Sequence, residues 1–143
     1  MKISLVIPGN PIGWARTRLG RRRSGRPIPF TPSKQRAFAN RIRQAFRDKY
    51  PNFTLMTGPL EAEVLVFFPI PKSASKKRRY DMRWGITLPE RVPDWDNCGK
   101  IFSDALNGLA YKDDRQICSG HVDKKYDDRP RMEFKVRPVG EEP

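Results

Sequence analysis

The sequence predicts an α+β domain, with a mixed sheet of about four strands, two main helices packed on it, and long basic loops between the elements. Three observations predict this. Apolar residues alternate with polar ones in short runs near both ends and in the middle of the chain. They recur every three to four residues in two intervening stretches, and 14 prolines interrupt the rest. A length of 143 residues suits one domain, so residues 1–143 are read as a single unit with a short tail at 138–143.

In order along the chain, Ile3, Leu5 and Ile7 alternate with Lys2, Ser4 and Val6, the period of a strand. Residues 8–30 are rich in Gly, Pro and Arg and read as a loop. Thr31-Pro32 is a helix-start signal, because proline's missing N–H is harmless in the first turn. Phe38, Ile42 and Phe46 then share one helical face, and Pro51 ends the helix. Leu60, Ala62, Val64, Val66 and Phe68 alternate as a second strand, closed by Pro69 and Pro71. Residues 72–93 read as a second basic loop. A second helix runs roughly from Asn97 to Leu106 and stops at Asn107-Gly108. Gln116–Tyr126 and Met132–Val136 read as two further strands, expected to form a hairpin around Asp127–Pro130. The order is therefore β-α-β-α-β-β.

Charge narrows the function classes. Lys and Arg number 29 against 16 Asp and Glu, a net of +13, whose usual counterpart is a polyanion. The balance is uneven: residues 1–93 hold 20 basic and 5 acidic side chains, whereas residues 94–143 hold 9 and 11. No apolar run approaches the roughly 20 residues that cross a bilayer, so no membrane role is expected. The opening MKISLVIPGN is too poor in apolar residues for a secretory signal. Cys98 and Cys118 have neither zinc-ligand spacing nor disulfide density, so both are read as reduced thiols of a cytoplasmic protein. A single histidine, His121, removes chemistries that need a His pair and is read as a strand residue without catalytic duty. GRRRSGRP at Gly20–Pro27 has Arg26 and Pro27 where a P-loop needs Lys and Ser or Thr, so no nucleotide cofactor is expected.

The acids concentrate in Pro93-Asp94-Trp95-Asp96-Asn97, Lys100, Asp104-Ala105-Leu106-Asn107-Gly108 and Asp113-Asp114. On a helical wheel Asp96, Lys100, Asp104 and Asn107 share one side, opposite Cys98, Ile101, Phe102, Ala105 and Leu106. Asp94 precedes the helix in an extended segment and can point into the same space, and one of Asp113 and Asp114 can return to it. Hydrolysis of a phosphodiester needs an activated water and relief of charge on phosphorus. Carboxylates holding a hard divalent cation, with a lysine nearby, answer both needs. Asp-x-Asp before a helix and Asp-Asp at a turn are also ordinary capping and turn positions, so periodicity alone leaves both meanings open.

The stretch PDWDNCGKIFSDALNGLAYKDDRQI resembles the RusA-like Holliday junction resolvases, whose signature reads PDxDNxxKxxxDALNGxxxxDDxQ. IPGNPIGWARTR with GRPIPFTPS, and FPIPKSASKKRR, resemble that family's two basic loops, so the likeness spans roughly residues 3–137. The resemblance implies a homodimeric endonuclease of bacteria or their phages that cuts four-way DNA junctions during recombination, repair or phage DNA processing. It implies Mg²⁺ as cofactor, with Mn²⁺ as a substitute. Asp94, Asp96 and Asp114 correspond to metal ligands and Lys100 to a catalytic lysine, while Asp104 and Asp113 fall at supporting positions.

Arg16, Arg18, Arg21, Arg22, Arg23 and Arg26 in the first loop, and Lys76, Lys77, Arg78 and Arg79 in the second, are expected to contact DNA phosphates. Trp14 and Trp84 are candidates to stack on bases of an opened junction, and Trp95 is expected to pack under the site. Two other functions fit the same residues: a metal nuclease acting on flaps or forks, and a non-catalytic nucleic-acid-binding module.

Overall fold

The computed structural model describes residues 1–14, 18–21, 25–30 and 33–141. Its elements are strands β1 (Ile3–Pro8), β2 (Arg18–Arg21) and β3 (Pro27–Phe30), helix α1 (Ser33–Lys49), strand β4 (Leu60–Pro69), helices α2 (Lys76–Arg83) and α3 (Trp95–Ala105), and strands β5 (Ile117–Asp127) and β6 (Arg131–Pro138). A single 3₁₀ turn, Asp114–Gln116, leads into β5. The expected helix start at Thr31-Pro32 lies outside the described residues.

The main sheet is mixed and four-stranded, in the order β1-β6-β4-β5. Its antiparallel pairs are β1 with β6 and β6 with β4, whereas β4 and β5 run parallel. The parallel pair requires a crossover connection, and the 47 residues between Pro69 and Ile117 supply it, carrying α2 and α3. Alternation along each strand decides what the sheet covers. Ile3, Leu5 and Ile7 of β1, Val64, Val66 and Phe68 of β4, and Met132, Phe134 and Val136 of β6 are all buried. Against them pack Phe38, Ala39, Ile42 and Phe46 of α1 and Cys98, Ile101, Phe102 and Ala105 of α3. Phe102 locks the layers together, stacked on Phe134 at 4.9 Å and edge-on to Phe38 at 6.4 Å between ring centroids. The alternate residues form a polar outer face, where Arg137 donates to Glu61 at 2.7 Å and Arg131 to Glu133 at 2.8 Å.

Three local expectations are corrected. β5 and β6 do not form a hairpin, because β4 lies between them and pairs with both. Residues 128–130 instead cross the end of β4, a span of about 10 Å at the usual strand spacing. The connection holds no Asn-Gly or Asp-Gly turn pair, and Pro130 lacks an N–H for a ladder bond. The second basic loop contains α2, a short helix beside the two main ones expected. Met82 is the single buried side chain of α2, and four of its first residues are cations, so no apolar period announces it. The Ser75 hydroxyl caps α2 by accepting from the Arg78 N–H at 3.3 Å. In the first basic loop, β2 and β3 pair antiparallel as a separate two-stranded sheet, with Gly25 at a φ of 81° between them.

Because Phe102 is fully buried and touches both α1 and β6, Phe102→Ala should destabilise the domain by about 3–5 kcal/mol in urea unfolding. A loss below about 1 kcal/mol would contradict this packing.

Candidate active site

The site is built on the polar side of α3 and the turn that leads into β5. The helix begins two residues earlier than expected, with Trp95 as its first residue and Asp94 as an extended N-cap (φ −67°, ψ 155°). The Asp94 carboxylate makes no capping hydrogen bond, although an N-cap aspartate commonly does. Asp96, in the first turn, accepts from the Asn97 N–H at 3.0 Å. Residues 10–14 are strapped across this helix start, with the Trp14 N–H donating to the Asn97 carbonyl at 2.9 Å. Only glycine fits at position 13, because a Cβ there would stand 2.5 Å from the Cβ of Pro93.

One turn further along, Lys100 Nζ lies 3.2 Å from Asp104 Oδ2, an i,i+4 ion pair, and 5.9 Å from the centroid of the Trp14 ring. Gly99 costs a helix interior about 1 kcal/mol, and a Cβ there would make only an ordinary 3.6 Å contact with Val122 of β5, so packing does not require glycine at this position.

The second acidic pair divides its labour. Asp113 caps the 3₁₀ turn, its Oδ1 accepting from the Arg115 N–H at 2.9 Å. That bond is the main reason its carboxyl is held below the ordinary range. Gln116 fixes the same turn, accepting from the Lys112 and Asp113 N–H groups at 3.0 and 3.1 Å and donating to the carbonyls of Met56 and Gly58. With Asp113 so engaged, Asp114 faces Asp104. Burial raises the Asp114 pKa above its ordinary value, and hydrogen-bonding contact and charge repulsion from Asp104 and Asp113 raise it further. Tyr111, buried beneath these acids, donates its hydroxyl to the Ser103 carbonyl at 2.8 Å, and its pKa is pushed far up by burial.

Asp96, Lys100 and Asp114 line one cavity of about 310 Å³, together with Trp95, Ser103, His121 and Val122. Asp94 opens onto a neighbouring groove of about 600 Å³, lined also by Asn10, Trp14, Lys34, Gln35, Arg91 and Asn97. The first turn of α3 is thus the wall between the two spaces. Both carboxylates nevertheless reach Cys98 electrostatically. Its thiol is pushed up to about 11, chiefly by burial, with Asp94 and Asp96 adding to the rise against the lowering effect of Lys124. Among the described residues, no three His, Cys, Asp or Glu side chains stand close enough together to hold a metal ion.

The donor chemistry fits a hard divalent cation held sparsely. Mg²⁺ keeps several waters and takes one or two carboxylates plus substrate oxygens. Asp114 facing Asp104, with Asp96 on the same cavity, presents carboxylates whose mutual repulsion a cation would relieve.

Asp104, read in the sequence as a supporting residue, contacts both Lys100 and Asp114. His121, set aside in the sequence, lines the acidic cavity, and its Nε2 lies 2.9 Å from Asp123 Oδ2. The period-two spacing of His121 and Asp123 was the available signal. Trp95 is exposed on the cavity wall and does not pack beneath it.

Of the basic residues, Lys76, Lys77 and Arg78 project from α2 into solvent, and Arg26 is exposed. Arg79 is engaged at home, donating to the carbonyls of Lys72 and Ala74. Arg18 and Arg21 belong to β2, while Arg16, Arg22 and Arg23 lie outside the described residues.

Residues 8–137 match the family model of the endodeoxyribonuclease RusA. The chain belongs to the RusA endodeoxyribonuclease family. The α3 carboxylates, Lys100 and the Asp113-Asp114 turn all fall within the matched region. The chain is also similar to the uncharacterized protein YqaN of Bacillus subtilis (strain 168), at 36% identity over 139 residues and 96% of each chain. Family membership makes this chain an enzyme that cuts DNA, and no described helix is long and apolar enough to cross a membrane.

In metal-free protein, Asp104→Asn should move the Asp114 carboxyl titration toward its ordinary value of 3.8, because one of the groups that penalise its ionised form is gone. Carboxyl NMR resolves this: the Asp114 midpoint should fall to lower pH, and an unmoved midpoint would contradict the Asp104–Asp114 contact.

Proposed function

We propose that this RusA-family enzyme is a Mg²⁺-dependent resolvase of four-way DNA junctions, active as a homodimer in the cytoplasm of a bacterial or phage-infected cell. The observation that carries this reading is a cavity holding Asp96, Asp114 and Lys100 on a chain of net charge +13. A surface that attracts phosphates and a pocket that concentrates carboxylates oppose each other electrostatically, and a nuclease using a divalent cation needs both.

Asp96 and Asp114 are the proposed holders of the ion, with Asp94 joining from the adjacent groove by turning about the start of α3. Mg²⁺, or Mn²⁺ in its place, would supply a water of lowered pKa and relieve charge on the phosphate. Lys100, steered by Asp104, stabilises negative charge on the phosphate oxygens. The N-terminal end of α3 adds the partial positive charge of its free N–H groups to the same region. Asp113 and Gln116 hold the turn that aims Asp114. Lys76, Lys77 and Arg78 bind the backbone of a DNA arm without reading its sequence. A junction has two equivalent strands to cut, so a two-fold dimer with one cavity per subunit matches its symmetry.

Partners outside a metal's own ligands are commonly worth 10–100-fold, so Asp114→Asn or Asp94→Asn should slow junction cleavage by about 100-fold or more. Junction affinity should stay within about twofold. The check is a cleavage assay on a synthetic junction with Mg²⁺, then with chelator, alongside flap, fork and duplex substrates. Cutting at the normal rate by either variant would remove that ligand, and equal cutting of all substrates would remove the junction preference.

Binding should also weaken steeply with salt, and removing Lys76, Lys77 and Arg78 together should flatten the slope of log affinity against log salt by about two to three. An unchanged slope would take α2 out of the DNA interface.

A further inference from the structure

Ten large hydrophobic side chains are exposed among the described residues, and six of them, Tyr80, Trp84, Ile86, Leu88, Val92 and Trp95, fall between positions 80 and 95. This segment runs from the basic helix α2 to the start of α3. Tyr80 and Trp84 lie one turn apart on α2, 58% and 68% exposed, with ring centroids 6.2 Å apart and planes tilted by 52°. Neither ring serves the core, which α2 meets through Met82 alone. Beside Trp84, between α2 and β5, is a groove of about 320 Å³ walled by Trp84, Leu88 and Tyr126 and flanked by Arg83 and Lys125. Arg83 also pairs with Asp128 at 2.9 Å, which holds the guanidinium at the groove's edge.

We infer that this groove is a subsite for unpaired nucleotides, in which a base stacks against Trp84 while Arg83 and Lys125 contact the adjoining phosphates. Flat, exposed rings set among cations match a single strand, because every base offers a face to stack and every linkage a charge to neutralise. The surroundings favour a polyanion over a protein partner: Lys76, Lys77, Arg78, Arg83 and Lys125 outnumber Asp81 and Asp128. Position favours it as well. Tyr126 and Lys125 lie four to five residues along β5 from His121, which lines the acidic cavity, so about 13–17 Å separate the two sites at 3.3 Å per residue. A strand held at Trp84 would reach that cavity within about four to five nucleotides at 3.4 Å each. The placement of these unpaired nucleotides at a branch point rests on the function proposed above, whereas stacking itself does not.

The test is binding of full-length protein to fluorescein-labelled oligo(dT) and to a blunt duplex of equal length, read by anisotropy without divalent metal. Trp84→Ala should weaken oligo(dT) binding by about tenfold and leave duplex binding within twofold, while Trp84→Phe should retain most of the affinity. Equal losses on both probes, or no loss on oligo(dT), would overturn the subsite. So would a changed sedimentation coefficient of Trp84→Ala protein without DNA, which would assign the rings to a protein interface. If the wild-type enzyme ignores four-way junctions yet shows the oligo(dT) pattern, the junction reading fails and the stacking subsite stands.

Discussion

Everything chemical in this fold depends on how α3 is seated. Cys98, Ile101, Phe102 and Ala105 are buried against the sheet and α1, so rotation of the helix is fixed by packing. With that side committed, Asp96, Lys100 and Asp104 have one direction left, toward the turn at Asp113-Asp114. A helix turned by a third would bury charge without partners, at a cost far above what the domain's stability tolerates. Apolar packing thus stores the energy that keeps like charges together.

The Asp114 charge is unfavourable where it stands. Asp114 is held against Asp104 while partly desolvated, which disfavours its ionised form. The protein tolerates this because the turn is fixed elsewhere, by the Asp113 cap and by the Gln116 amide reaching Met56 and Gly58. Strain of this kind is maintained by structure remote from it.

Legibility in the sequence followed the range of the interactions. α3 and its two sides were readable because helical period and caps are local, and the register of α1 and β4 was readable for the same reason. α2 was not, since one buried methionine among cations leaves no period to detect. The separation of β5 from β6 was not either, because it depends on β4 entering between strands that are neighbours in sequence. Asp94, Asp96 and Lys100 could be set near one another from spacing, whereas the choice of Asp114 over Asp113 came from the family resemblance, and the division of Asp94 and Asp96 between two cavities depends on which way each side chain leaves the first turn. The closeness of Asp104 to Asp114 was also hidden, because it is made by a turn anchored about 60 residues away in the chain.

The central claim is that Asp96 and Asp114 share one divalent ion, and the most direct measurement of it is the binding of Mn²⁺ followed by electron paramagnetic resonance. Wild-type protein should take up Mn²⁺ saturably and in competition with Mg²⁺, and Asp96→Asn and Asp114→Asn should each weaken that uptake by about tenfold or more. Uptake equal to wild type in the protein carrying both substitutions would contradict the claim.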